Sequence, residues 1–262
     1  MLGTALGGIV SGVFVQLLPA PTKLVYAVFC AIFVAQAFGV LGIPETATRS
    51  SGALASMRPR LRVRTELRAS VAAVTPALVG AWALTGFYGS LGPALVRKLV
   101  GSNAPALGGL ALFALAAAGV VTVLVSRRYS ARGVTAFGMA ALATGVVLTL
   151  LAIRRADIAA FFMGTAIAGS GFGAGFHGAI RSVVSRAAPR ERAGVLSVLY
   201  VIAYLAMGLP AIVGGLRVVY GGGILATARE YGIAVVVLAL VALIGTARRA
   251  PSPETLCTRI EN

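Results

Sequence analysis

The 23 residues from Ile158 to Ile180 read IAAFFMGTAIAGSGFGAGFHGAI and contain no Lys, Arg, Asp or Glu. About 20 apolar residues in a helix cross a bilayer core roughly 30 Å thick, so this stretch is long enough to span one. The run is continuous rather than alternating, and a backbone in hydrocarbon must satisfy its own polar groups, which selects a helix over a barrel strand. Six glycines punctuate it: Gly164, Gly169, Gly171, Gly173, Gly175 and Gly178, with Gly169/Gly173 and Gly171/Gly175 at GxxxG spacing. Small residues let helix backbones approach closely in lipid, where apolar attraction between helices is weak. The stripe predicts close helix packing, with sliding between helices as a further consequence.

Seven more apolar runs flank this one, at 1–18, 24–43, 71–96, 106–125, 134–153, 194–216 and 231–247. Between them stand Pro19-Ala20-Pro21, Pro44, Asn103-Ala104-Pro105, Arg132-Gly133, Pro189 and Gly221-Gly222-Gly223, the residue types that interrupt helices. The whole chain of 262 residues is 58% hydrophobic and 11% charged, against about 25% charged in a soluble domain, and its mean hydropathy is +0.93. An ordinary water-soluble protein is excluded. The expected fold is all-α and polytopic, with about eight transmembrane helices. Met1 to Leu18 has no Lys or Arg ahead of its apolar stretch, so it reads as a retained helix and not a cleavable leader. Cys30 lies in an apolar run and Cys257 in the polar tail, with neither metal-ligand spacing nor a disulfide framework.

The formal charge of +16, from 23 Lys+Arg against 7 Asp+Glu, would point to nucleic acid in a soluble protein. Here it maps orientation. Sixteen of the 23 fall in alternate connections: 44–70, 126–133, 181–193 and the tail after 247. The opposite side holds Lys23, Arg97, Lys98, Arg154, Arg155, Arg217 and Arg229. The positive-inside rule makes the rich side cytoplasmic, so both termini are expected to face the cytoplasm of a cell (inner or plasma) membrane. The densest run, Arg58-Pro59-Arg60-Leu61-Arg62-Val63-Arg64, reads as a linker that fixes topology. A second reading is attraction to anionic headgroups, about 1 kcal/mol per basic residue. No nucleic-acid partner is expected; the lipid bilayer is the implied one.

Catalysis finds no candidate set. All seven acids (Glu45, Glu66, Asp157, Glu191, Glu230, Glu254, Glu261) lie in loops, tails or helix ends, and His177 is the single histidine. No zinc helix or Ser-His-Asp arrangement can be assembled, so neither an enzyme nor a metal or other cofactor is expected. The run at 71–96 is more informative, because Trp82, Thr85, Tyr88 and Ser90 interrupt it beside Pro76, Gly86, Gly89, Gly92 and Pro93. Trp82, Thr85 and Gly89 recur at helical spacing, with Tyr88 and Ser90 flanking that face. A substrate-cavity wall and a packing face with an interfacial aromatic belt are both consistent with this pattern. His177 and Arg181, four apart at one end of the glycine-rich run, read either as a gate or pH-responsive pair or as a snorkelling arginine beside a capping histidine. After Pro189-Arg190-Glu191-Arg192-Ala193-Gly194, Tyr200 and Tyr204 share a helix face that can point into a polar interior.

At these residues the chain resembles the major facilitator superfamily, in its bacterial drug-efflux-like branch. The resemblance is carried by Ile43-Pro44-Glu45-Thr46, the long basic segment after it, Gly171-Phe172-Gly173-Ala174-Gly175-Phe176, and Pro189-Arg190-Glu191-Arg192-Ala193-Gly194 with Tyr200, Tyr204 and Pro210. It implies helices five to twelve of the family. Residues 1–43 would be the end of one half, 44–70 a basic cytoplasmic loop, 71–249 a complete C-terminal six-helix bundle, and 250–262 a cytoplasmic tail. The implied activity is transmembrane transport of small organic solutes, drugs or metabolites, by alternating access between two bundles. Trp82, Thr85, Tyr88 and Tyr204 are the substrate contacts this implies, with a coupling proton as a further partner. Thr4 stands where the family's fifth-helix pattern has proline, and the turn from Ser126 to Gly133 lacks the aspartate of its loop motif. Because the family's first four helices have no counterpart here, the alternative is a transport-incompetent remnant or a membrane subunit completed by a partner chain.

Overall fold

The computed structural model describes residues 2–44, 64–101 and 105–248. The acid of the Pro44-Glu45 ending, the basic run from Arg58 to Val63, and the tail with Cys257 lie outside the described residues. Among the described residues nine helices follow in order: α1 Leu2–Leu17, α2 Pro21–Leu41, α3 Thr65–Ser90, α4 Gly92–Val100, α5 Pro105–Ser126, α6 Ala131–Arg155, α7 Ile158–Val184, α8 Arg192–Arg217 and α9 Gly223–Ala247. No strand occurs among the described residues. Among the described residues six helical stretches are long and apolar enough to cross a membrane, the last of them Arg192–Ala247, which joins α8 and α9. The protein is an all-α, multi-pass membrane protein.

Two of the expected runs change shape. The run at 71–96 breaks at Leu91, because Gly92-Pro93 begins a separate helix: proline lacks the N–H that would continue α3 but fits the first turn of α4. The run at 231–247 starts eight residues earlier, at Gly223. Its first two turns contain Arg229 and Glu230, whose charges hide a helix from an apolar-run reading. The reversal before it is made by a five-residue π-type turn at Val218–Gly222 and by Gly223 at φ 72°, a left-handed conformation that favours glycine. Arg217 then clamps the two legs, reaching both Glu230 carboxylate oxygens at 2.7 and 2.8 Å. With 16 residues, α1 rises about 24 Å, short of the roughly 30 Å core.

Contacts along the helices show how they alternate. Gly80 of α3 lies beside Leu238 and Ala239, whereas Gly86 lies beside Tyr231, so α3 and α9 are antiparallel. On α6 and α7, Gly138 meets Gly175 and Gly145 meets Ala168, again antiparallel. One end of the bundle therefore gathers the starts of α3, α6 and α8 with the ends of α5, α7 and α9. This is the end rich in basic residues, and arginines tie it together. Arg64 pairs with Glu191 at 3.0 Å, Arg186 donates to Ser70 Oγ at 3.1 Å, and Arg181 donates to the Arg127 carbonyl at 3.3 Å. Arg132 donates to the Thr246 and Ala247 carbonyls. The last two bonds satisfy carbonyls that helix ends leave without an intrahelical partner.

The most extensive interface is α6 on α7. A Cβ on Gly164 would come within 2.7 Å of the Thr149 nitrogen, and one on Gly178 within 2.7 Å of the Ala131 carbonyl oxygen. Gly171, midway between, would strike the Leu142 backbone. These three glycines are seven residues apart, as are Gly138 and Gly145 on the facing helix, a repeat that keeps one seam aligned along two supercoiled helices. A second row, Gly169 and Gly173, faces Leu115 and Gly119 of α5. The GxxxG stripe thus serves two partners on two faces. On the far flank of α5, Gly109 abuts Gly8 and Gly12 of α1, and α2 extends along the outside with no side chain buried among those described.

Candidate functional site

Five rings meet where α3, α7 and α8 come together. Trp82 of α3 lies 5.2 Å from Tyr204, 5.3 Å from Phe176 and 6.2 Å from Phe172, measured between ring centroids. Phe172 and Phe176 stack with their planes 8° apart, and Tyr200 touches both Phe176 and Tyr204, at 6.1 and 6.3 Å. Helical spacing of four residues puts each α7 and α8 pair on one face. Edge-to-face contacts let the positive rim of one ring meet the negative face of the next. Exposure rises from Phe172 at 6% through Tyr200 at 40% to Tyr204 at 57%, so the cluster has a buried floor and an open rim.

The indole nitrogen of Trp82 is buried and has no hydrogen-bond acceptor among the described residues. Indole Nε1 can only donate, and a buried donor left unpaired costs about 1–3 kcal/mol. Thr85, one turn along the same face, is half-buried and returns its hydroxyl to the Ala81 carbonyl at 3.4 Å. No charged side chain belongs to the ring cluster. What it offers a ligand is therefore π faces, two tyrosine hydroxyls and one indole donor.

Of the four expected substrate contacts, the structure brings Trp82 and Tyr204 together, sets Thr85 beside them and takes Tyr88 elsewhere. Tyr88 is 0% exposed. Its hydroxyl lies 3.0 Å from both Thr149 Oγ1 and Thr165 Oγ1, in the packed interior between α3, α6 and α7. The six residues from Trp82 to Tyr88 turn the helix through about 600°, which leaves the two side chains about 120° apart. Tyr88 is a core residue in this structure and does not touch the ring cluster. His177 and Arg181 sit nearer the basic end, where Arg181 reaches the turn between α5 and α6. Phe172 and Phe176 were not singled out from sequence as contacts. Their signal was present as an aromatic pair four residues apart in the glycine-rich run.

At the basic end, the hydrogen bond to Glu191 and the nearby Glu66 raise the Arg64 guanidinium above its already high ordinary value, so it stays charged throughout the physiological range. No three of His, Cys, Asp and Glu gather among the described residues. The sequence matches no protein-family model, and no curated protein matches it. Fold and site together define a multi-pass helical membrane protein with an uncharged aromatic face.

Proposed function

We propose that the protein takes part in moving small organic solutes across the membrane, in the manner of a major facilitator superfamily transporter, and that the Trp82 cluster contacts the solute. The observation that carries this reading is the buried Trp82 Nε1, without a partner among the described residues, inside a ring cluster whose rim, Tyr200 and Tyr204, is open. A neutral aromatic solute with an oxygen acceptor stacks on the open rim of Tyr200 and Tyr204, and reaches the Trp82 donor once the rings that cover it part. The four described acids, Glu66, Asp157, Glu191 and Glu230, lie near helix ends, away from the cluster, so recognition by aromatic contact and hydrogen bonding fits better than recognition of a cation. In this reading the basic end is cytoplasmic and the role is binding and transport rather than catalysis.

Trp82 is the single tryptophan of the chain, so its emission reports on the site directly. Chloramphenicol, a neutral nitroaromatic amide, is expected to quench it saturably in protein reconstituted into nanodiscs. Tyr204→Ala should weaken that binding about tenfold, and Tyr129→Ala, remote from the cluster, should leave it unchanged. Non-saturable quenching, or equal affinity in Tyr204→Ala, refutes the contact assignment. Uptake of labelled chloramphenicol into proteoliposomes no faster than into protein-free liposomes, despite saturable binding, refutes transport of this solute class.

A further inference from the structure

A groove of about 570 Å³ opens between the end of α6 and the start of α9, at the end of the bundle poor in basic residues. Its walls are apolar and face outward: Val147, Leu151, Leu225 and Ile233 line it and are 42–48% exposed. In a bilayer these walls meet lipid. At its mouth stand two arginines, Arg154 from α6 and Arg229 from α9, and no acid lines the groove with them.

The positions of these two cations need a cause. The other basic residues nearby are locally accounted for: Arg217 is held by Glu230, and Arg97, Lys98 and Arg155 occupy the last turns of α4 and α6, where helix carbonyls favour positive charge. Arg154 has the same dipole advantage in the last turn of α6. Arg229, the seventh residue of α9, lies beyond its first turn and has no such advantage. Neither Arg154 nor Arg229 forms an ion pair or hydrogen bond among the described residues. Two guanidinium groups from different helices therefore border one apolar, lipid-facing groove without an anionic partner among the described residues.

We infer that this groove is a binding site for an anionic phospholipid, whose phosphate bridges Arg154 and Arg229 while an acyl chain lies along Val147, Leu151 and Ile233. Guanidinium forks bind phosphate oxygens in pairs, and basic pockets between transmembrane helices recognise acidic headgroups. The apolar walls argue for a phosphate that brings a hydrocarbon chain, in preference to a free ion. This assignment is independent of the transport reading.

Native mass spectrometry of the detergent-purified protein tests it, with dioleoylphosphatidylglycerol, dioleoylphosphatidylcholine and inorganic phosphate as probes. The wild type is expected to retain phosphatidylglycerol at least about fivefold better than phosphatidylcholine, with millimolar inorganic phosphate unable to displace it. Arg154→Gln/Arg229→Gln should abolish the preference, Arg154→Lys/Arg229→Lys should keep part of it, and Arg97→Gln/Lys98→Gln should leave it intact. All four arginine and lysine positions are on the surface, and unchanged Trp82 emission and far-ultraviolet circular dichroism confirm folding of each variant. Equal retention of the two lipids overturns the proposal, as does a preference that survives Arg154→Gln/Arg229→Gln. Displacement by inorganic phosphate overturns the lipid assignment in favour of a free-anion site.

Discussion

Replacing Tyr88 separates a packing role from a solute-contact role. Its hydroxyl touches two threonines that also bond their own helices: Thr149 donates to the Gly145 carbonyl at 2.9 Å and Thr165 lies 2.8 Å from the Phe161 carbonyl. Each hydroxyl has one proton, so the three cannot satisfy every contact at once. One arrangement is a relay, Thr165 to Tyr88 to Thr149 to Gly145; in the other, both threonines bond their carbonyls and Tyr88 donates to one of them. Tyr88→Phe thus removes one or two hydrogen bonds, while both threonines keep a carbonyl to bond. At about 0.5–1.5 kcal/mol each, with intramembrane values near the lower end, the loss is expected at about 1 kcal/mol. Tyr88→Ala also empties a site that is 0% exposed and contacts the rings of Phe87 and Phe161. Truncating a buried aromatic costs about 3–5 kcal/mol. Equilibrium unfolding in mixed dodecyl sulfate micelles, followed by Trp82 emission, reads both numbers. Solute affinity in Tyr88→Phe should stay within about twofold of wild type. Wild-type stability in Tyr88→Ala, or a tenfold loss of solute affinity in Tyr88→Phe with stability unchanged, would refute the core assignment.

Gly171→Leu should prevent the close approach of α6 and α7, because its Cβ would lie within 2.7 Å of the Gly138 oxygen, which is backbone. A loss of about 3 kcal/mol or more is expected, seen as aggregation in mild detergent. Gly208→Ala, where nothing lies within 4 Å, should instead be neutral or gain up to about 1 kcal/mol from helix propensity; destabilisation there would contradict the packing. Arg132→Gln removes the bonds to the Thr246 and Ala247 carbonyls. Its cost is expected at about 1 kcal/mol, with faster amide exchange confined to the last turn of α9; unchanged exchange there would show that these bonds do not hold it.

Much of this architecture is legible in the residues. Apolar runs and their proline and glycine breaks place most helices within a few positions. The alternation of basic connections matches the end at which Arg64, Arg132, Arg181 and Arg186 are brought together. What escaped the sequence has physical causes. Arg229 and Glu230 mask the first turns of α9 because one pairs across the turn and the other faces a groove, neither of which hydropathy registers. Tyr88 flanks the Trp82–Thr85–Gly89 face in sequence, and which neighbour a flanking residue meets, here Thr149 and Thr165, depends on the packing of α6 and α7. The two glycine rows of α7 were visible at spacing four, whereas the row at 164, 171 and 178 and its α6 counterpart emerge only when the facing backbone is known. The unsatisfied, buried donor of Trp82 cannot be read from sequence at all, since it depends on what the neighbouring described helices fail to supply.

The seven-residue glycine seam also limits how α6 and α7 can move. With backbone against backbone, a shift of one residue, about 1.5 Å, carries a side chain into a space that only a hydrogen atom fits. The next position at which the glycines again coincide is seven residues away, about 10 Å along the axis. The pair therefore behaves as a keyed shaft: contrary to the sliding that the glycine stripe suggests in sequence, translation of α6 past α7 is blocked, the two can tilt or turn as a unit, and any large motion of the bundle must be taken up at its other interfaces.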